Sequence, residues 1–293
     1  MPELEDIETF NVVATAGGLS PAARRLGVSK SVVSRRLQRL ETELGVQLLA
    51  RTTRGAGLTE AGMTFRVHAA QMSSEMDAAR EALALTGDLR GRFRIAAPLS
   101  FGPTHMAPIL AELARLHPRL HVHASYTDRI VDLVVEGFDA AIRVGYLADS
   151  RLVARRIGSV CGTLVASPAY VAEHGAPSSP DELLEHQALM QGTESWRFIV
   201  GKKTVTVRPQ GRFKADNGLA LEAAAVAGLG IAYLPGFLVE AHIASGALVA
   251  VMKRYPIPDG GIFLVRPPNI QPSRKLKALT DLLLARFGNS DCR

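Results

Sequence analysis

The chain is poor in cysteine. Two residues, Cys161 and Cys292, among 293 are too few and too far apart for a disulfide framework or a structural zinc site. Cys161 has no basic cluster beside it in sequence, so it reads as a small buried residue and not as a redox sensor. No window approaches a run of about 18 apolar residues, which excludes a membrane-spanning helix. The opening MPELEDIETF lacks the basic start and continuous apolar core of a secretory signal, so the chain is expected to stay in the cytoplasm. Catalytic signatures are missing too: there is no nucleophile elbow, phosphate-binding loop or zinc-binding helix. Gly228-Leu229-Gly230 lacks the third glycine of a dinucleotide fingerprint and follows a helix instead of opening one. His121 and His123 share one face of a predicted strand, with His105 and His117 near in sequence. No carboxylate or cysteine stands at metal-ligand spacing from them, so they read as solvent-facing. No enzyme activity, metal or cofactor is expected.

What is present is enough apolar material, 47% of residues, for two or three packed units. The net charge of +6 permits a polyanionic partner. That excess is concentrated. Residues 20–54 hold eight basic side chains (Arg24, Arg25, Lys30, Arg35, Arg36, Arg39, Arg51 and Arg54) against Glu41 and Glu43, and phosphate is the obvious counter-charge.

Within this stretch, SPAARRLGVSKSVVSRRLQRLETELG, residues 20–45, spells two short helices joined by a tight turn. Ser20 can cap the first, with Pro21 at the first helical position. Ala22, Ala23 and Leu26 make a small apolar face that allows close approach, and Gly27 suits a left-handed C-terminal residue. Ser29 caps the second helix, in which Val33, Leu37, Leu40 and Leu44 recur at the helical period while Lys30, Ser31, Ser34, Arg35, Gln38 and Arg39 lie elsewhere on the surface. One face packs and the other is free to read DNA. A basic amphipathic helix alone is usually a solvated face. Here it coincides with a turn-joined partner helix and a basic hairpin-like segment, which points to a helix-turn-helix. Before it, Leu4, Ile7, Phe10, Val13 and Ala14 give one apolar face to a helix over 3–16 that ends at Gly17-Gly18. After it, 46–49 and 57–59 read as short strands around Arg51, Thr52, Thr53 and Arg54, whose cations and hydroxyls suit phosphate or minor-groove contact. A winged DNA-binding domain over 1–59 is the expectation.

The segment AARRLGVSKSVVSRRLQRLETELGVQLLART and the GLTEAG that follows at 57–62 resemble the N-terminal pattern of the LysR-type transcriptional regulators. The likeness is dense over the first 65 or so residues and looser from there to the C-terminus. Leu49 departs from the phenylalanine usual in the family's LF.R signature, a change that bears on packing and not on DNA binding. The resemblance implies a sequence-specific transcriptional regulator that binds double-stranded DNA as a homodimer, or as a homotetramer when effector domains also pair. RNA polymerase is a candidate further partner. It also implies an effector domain like a periplasmic binding protein, with two Rossmann-like α/β subdomains between which the chain crosses twice.

Thr59 can cap a long helix over 60–86 in which Phe65, Ala69, Met72, Met76, Ala79 and Leu83 keep heptad spacing. A helix about 39 Å long at 1.5 Å per residue has too little of its own small domain to cover that seam, so it reads as a dimer helix. Two recognition helices about 34 Å apart would then read a two-fold site. TGDLRG, 86–91, has turn composition and marks a hinge at 87–91.

Strand and helix patterns alternate beyond it. Strands are predicted at 93–97, 120–126 and 140–144, with helices at 106–116 and 130–136. A second set has strands at 163–166, 204–207, 231–234, 247–252 and 262–265. Its helices are capped by Ser167-Pro168, by the capping-box spacing of Ser179 and Glu182, and by Asn217, and a terminal helix spans 274–287. This alternation predicts mostly parallel α/β sheet over 92–293. With crossings near Gly158 and near Arg266, subdomain I covers about 92–158 and 267–293 and subdomain II about 159–266.

Open α/β sheets bind ligands at the C-terminal ends of their strands. Ser100 and Phe101 follow the first strand, where helix N–H groups can hold a carboxylate or Ser100 can simply cap. Thr127 and Asp128, Gly145 and Tyr146, and Asp216 and Asn217 stand at element ends that can border the same cleft. A small anionic or polar effector is expected there, with Arg129 and Arg143 adding positive charge and Asp128 and Asp216 opposing it. The alternatives are a solute-binding protein or a small-molecule enzyme using the same cleft. The N-terminal DNA-binding pattern argues against the first, and the missing catalytic motifs argue against the second.

Overall fold

The apolar repeats of the N-terminal stretch close on one another in the computed structural model, which describes residues 2–52, 55–83, 88–147, 149–192, 195–268 and 273–288. Helices α1 (Leu4–Ala16), α2 (Leu19–Leu26) and α3 (Lys30–Leu44) bury Ile7, Phe10, Val13, Ala22, Ala23, Val33, Leu37 and Leu40 in one cluster. Each large side chain of α3 gains roughly 1.5–3 kcal/mol there, which fixes the rotation of the helix and leaves its opposite face outside. α3 begins as expected, the Ser29 hydroxyl accepting from the Val32 N–H at 3.3 Å. Between α2 and α3, Gly27 takes φ 66°, a left-handed conformation that a Cβ resists. The start of α2 differs from expectation. Gly18 is its N-cap and Ser20 makes no capping bond, so Pro21 falls inside the first turn, where its missing N–H has no intrahelical acceptor to lose.

The wing pairs β1 (Leu49–Thr52) with β2 (Gly55–Leu58), Leu49 opposite Leu58. The first strand lies later than the expected 46–49 because Glu41 holds the residues before it. Its Oε1 accepts from the Leu48 N–H at 2.7 Å and the Leu49 N–H at 3.0 Å. Thr59 then caps α4 (Glu60–Leu83) by accepting from the Gly62 N–H at 2.9 Å. A Cβ on Gly62 would lie 2.0 Å from the Leu48 carbonyl oxygen, so only glycine lets α4 press against the wing this closely. Leu49, the departure from the family signature, is partly buried in the same core.

Two five-stranded sheets form the rest. The first contains β3 (Arg90–Ala97), β4 (Arg119–Tyr126), β5 (Ala140–Gly145), β6 (Val153–Val160) and β14 (Gly260–Arg266), in the order β4-β3-β5-β14-β6. The second contains β7 (Gly162–Ala166), β8 (Ala188–Met190), β11 (Phe213–Lys214), β12 (Ile231–Pro235) and β13 (Val249–Ala250), in the order β11-β8-β12-β7-β13. A hairpin of β9 (Trp196–Val200) and β10 (Lys203–Val207) adjoins the second half. Strand directions are mostly parallel, as expected, except that β14 opposes its neighbours in the first sheet and β7 in the second. Each is the first strand laid down after a crossing. The other strands point their C-terminal ends at the gap between the halves, so a chain entering from that gap must run away from it.

Both crossings are therefore placed by the ladders. β6 stays in the first sheet to Val160, and all of β14 pairs with β5 and β6. The second crossing lies before Gly260 and not near Arg266, and the first lies at Cys161, three residues past Gly158. Cys161 is exposed, which corrects its reading as a buried residue. β3 starts at Arg90 and pairs Arg90 and Gly91 with β4, so the hinge is shorter than 87–91; residues 84–87 lie outside the described residues.

Helices α5 (Ala107–Leu116), α6 (Pro168–His174), α7 (Gly218–Val226), α8 (Gly236–Ala244) and α9 (Arg274–Phe287) cover the sheets. α5 is entered by a π-helical turn, Gly102–Met106. The helix expected at 130–136 is a turn, because Asp132 Oδ1 accepts from the Val134 and Val135 N–H groups at 3.0 Å each and so replaces helical acceptors. The segment opened by Ser179 is only a 3-10 turn, Asp181–Glu185. Glu182 reaches Ser178, its Oε2 accepting from the Ser178 N–H at 2.7 Å.

Candidate functional site

Opposite the buried row of α3, Ser29, Lys30, Ser31, Ser34, Arg35 and Gln38 are all exposed, a run of donors and cations on a protruding helix. Arg39 is not part of it. Its Nε and Nη2 donate to the two oxygens of Asp6 at 2.6 Å each, and Nη2 also reaches Glu3 at 2.6 Å. Asp6 is fully buried, and its hydrogen bond, the largest influence, pushes the Arg39 pKa above the ordinary value. Arg36 likewise pairs with Glu5 and reaches Thr9 at 3.4 Å. These two arginines clamp α3 to α1, so Arg39 positions the reading helix. Glu41 and Asp6 were not singled out by the sequence, where they look like ordinary surface acids.

In the wing, Arg51 and Thr52 fall on β1, while Thr53 and Arg54 lie outside the described residues. The expected dimer seam is divided. Phe65 meets the Phe10 ring edge-on at 5.2 Å, Ala69 is fully buried, and Asn11 Nδ2 donates to the Ala69 carbonyl at 3.0 Å, so α1 covers that part of α4. Met72 and Met76 are 45% and 36% exposed, and Ala79 is exposed; the Leu83 side chain lies outside the description.

In the C-terminal domain the described residues of the two halves meet at two polar places, and Phe237 of α8 also packs its ring against Phe101 of the first half at 5.3 Å. Asp128, just past β4, accepts from the Leu99 N–H at 3.0 Å and from Asn217 Nδ2 in the other half. A Cβ on Gly218 would lie 3.9 Å from Ser100 Cβ, so Ser100, Asp128 and Asn217 come together as expected. Asn217 Oδ1 also accepts from the Leu219 N–H at 2.8 Å, capping α7. The second meeting place is near the crossings. Tyr146 donates to the Pro258 carbonyl, and the Arg197 guanidinium lies over its ring at 4.5 Å. Burial, with Tyr146 adding to it, pushes the Tyr233 phenol well above its ordinary pKa. No sequence spacing announces Arg197 or Tyr233 as partners of Tyr146.

Other expected cleft residues are placed differently. Phe101 is buried against His105 and Phe287 of its own half and against Phe237 of the other, so it packs where the halves join. Gly145 pairs with Gly261 inside the sheet. Asp216 is exposed and offers its carbonyl to Gln191 Nε2 at 3.2 Å. Thr127 remains at the end of β4, its N–H donating to the Ala97 carbonyl at 2.9 Å. Arg129 is taken by Glu136, its Nη1 donating to Oε1 at 2.7 Å, and that bond holds the Glu136 carboxyl below the usual carboxylate range. A polar bridge, hydroxyls at strand ends and an aromatic-cation contact suit a small polar ligand between two halves.

Residues 4–63 match the bacterial regulatory helix-turn-helix protein, lysR family, and residues 86–288 match the LysR substrate binding domain. The chain belongs to the LysR family of transcriptional regulators. PtxR of Pseudomonas aeruginosa, an HTH-type transcriptional regulator, is 33% identical over 99% of this chain and 95% of its own. CrgA of Neisseria meningitidis serogroup C is 31% identical over 98% of each chain. The solved structure of CrgA from Neisseria meningitidis, a LysR-type regulator, superposes with a TM-score of 0.60 at 30% identity, covering 97% of this chain and 99% of that one. The full-length structure of the Vibrio cholerae virulence activator AphB gives 0.59 at 27% identity over the same shares. This LysR-type regulator thus couples a DNA-binding head to a substrate-binding domain, and its matched relatives are transcriptional regulators and not solute-binding proteins or enzymes.

Proposed function

We propose that this LysR-type regulator works in the cytoplasm as a homodimer, with tetramers formed by pairing effector domains. Its two α3 helices read a two-fold operator through Ser34 and Arg35, and Arg51 and Arg54 hold phosphates. The exposed polar row of α3, held in place by Arg39 and Asp6, carries this reading. Met72, Met76 and Ala79 are the open part of α4 and supply the dimer seam. A small molecule between the α/β halves, against Ser100, Thr127 and Asn217, favours one arrangement of the halves and so changes the spacing of the DNA-binding heads, with RNA polymerase as a further contact. A tenfold change in operator affinity needs about 1.4 kcal/mol of such coupling.

Binding-site selection at fixed salt tests the DNA reading. Arg35→Ala is expected to relax preference at one or two base pairs at a cost of roughly 1–3 kcal/mol, whereas Arg54→Ala weakens all sequences alike. An Arg35→Ala protein with unchanged preference and affinity removes Arg35 from the interface.

A further inference from the structure

Among the described residues, none supplies a counter-charge to Arg143. Its side chain is half-buried on β5, and burial draws its pKa below the ordinary value with no carboxylate acting the other way. Among the described residues, none accepts a hydrogen bond from its guanidinium, pairs with it or stacks on it. Three other arginines of the same half are engaged. Arg94 donates to the Glu136 carbonyl at 2.6 Å and lies over Phe138, Arg129 holds Glu136, and Arg156 donates to Ser159 Oγ and the Gly260 carbonyl at 3.1 Å each. A half-buried guanidinium carries five donors and loses hydration, so it stays in a fold at a cost unless something fills those donors.

The ladder locates it. β5 runs parallel to β3 with Ile95 beside Ala140 and Ala96 beside Ala141. Continuing that register puts Arg143 beside Pro98, where the chain turns toward Ser100. Strand alternation sets Arg143 on the face of Ala141, away from the core that holds Ile142. Thr127 follows β4, on the far side of β3 from Arg143, and the Ser100 hydroxyl makes no hydrogen bond among the described residues. Asp128, an acid at this end of the sheet, is already occupied, since it accepts from Leu99 and Asn217.

We infer that Arg143 is the anion hold of the effector cleft and that the effector is a small carboxylate, its charge on Arg143 and its oxygens within reach of the Ser100 and Thr127 hydroxyls. A planar two-oxygen anion matches the guanidinium fork. One cation with two hydroxyls suits a monoanionic group better than a phosphate of higher charge. The inference rests on the effector reading above and adds the chemical class of the ligand.

The test is thermal unfolding of the full-length protein at matched ionic strength with formate, acetate, benzoate and succinate. Each is set against its neutral amide, and inorganic phosphate is a separate arm. At least one carboxylate is expected to raise the parent's midpoint by about 2 °C or more, with its amide and phosphate inactive. Arg143→Gln is expected to bind that carboxylate roughly ten- to hundredfold more weakly, the usual loss for a charge-assisted hydrogen bond, while Arg129→Gln binds as the parent does. If Arg143→Gln does not fold, Arg143→Lys, which keeps the charge but loses the fork, is read in its place and must also bind more weakly. The inference is overturned if no carboxylate stabilises the parent, if amide or phosphate does as well, or if the Arg143 variant responds as the parent does. Operator affinity measured in the same solutions separates the two readings. Stabilisation through Arg143 without any change in operator affinity keeps the anion hold and removes the effector role. A ligand that shifts operator affinity equally in parent and Arg143→Gln does the reverse.

Discussion

Replacing Glu41 by alanine should damage this regulator well beyond the loss of an ordinary surface acid, and with a sign that charge alone does not give. The Glu41 carboxylate accepts from the Leu48 and Leu49 N–H groups through one oxygen, at 2.7 and 3.0 Å. A hydrogen bond to a charged group contributes about 1.5–3 kcal/mol net. Leu48 is buried, so its N–H loses the bond without water to replace it, whereas Leu49 is only partly covered. Sharing one oxygen makes the two bonds less than additive, and about 3 kcal/mol is the expected total. For a domain of this size that lowers the midpoint by roughly 10–20 °C, read by calorimetry on the full-length protein as an early transition of the DNA-binding domain. Glu41→Gln keeps an acceptor and should lose only about 1 kcal/mol. Operator affinity then separates geometry from charge. Removing an acid from so basic a stretch strengthens phosphate attraction, so Glu41→Gln should bind DNA as well as the parent or better. Glu41→Ala should bind all sequences more weakly, because the wing is no longer held to the end of α3. A Glu41→Ala protein that melts within about 2 °C of the parent and binds DNA more tightly would refute the reasoning.

Three further perturbations follow from the same structure. Arg39→Ala leaves the buried Asp6 carboxylate without its partner, so the thermal midpoint should fall while base preference in a selection stays the same; altered preference with unchanged stability would make Arg39 a DNA contact after all. Met72→Glu with Met76→Glu puts carboxylates on the open part of α4 and should shift sedimentation toward monomer; an undisturbed dimer moves the seam elsewhere. Asn217→Asp sets a second carboxylate against Asp128, so the halves should open, seen as a larger radius of gyration than the parent's at neutral pH and low salt; a radius equal to the parent's would mean the bridge does not hold the halves.

The helix-turn-helix was legible because its determinants are local. Ser29 and the Val33, Leu37, Leu40 period lie within a few residues of what they control, and the terminal helix over Arg274–Phe287 was legible for the same reason. The errors fall where a side chain satisfied backbone groups from a distance or out of pattern. Asp132 dissolved an expected helix, and Glu41 displaced a strand. β6 escaped notice because its first residues are exposed at a sheet edge, which erases the alternation that marks a half-buried strand. α8 escaped because Pro235 precedes it and no side chain caps it.

Candidate site residues divide along the same line. That Ser100, Thr127, Asp128 and Asn217 belong to element ends could be read from periodicity, and that two α/β units share the chain could be read from alternation. Which charges remain free could not. Arg35, Arg39, Arg129 and Arg143 are the same residue type in sequence, yet the fold gives Arg39 to Asp6, which is 33 positions away, gives Arg129 to Glu136, and leaves Arg35 exposed. Arg143 is left half-buried with no partner among the described residues. The sequence by itself determined the elements, the DNA-binding head and the family, because helix caps and apolar periods act over a few residues. Only the tertiary structure decided which cations are structural and which can meet a ligand, because the partner of a charge is set by distance in space and by the water that packing removes.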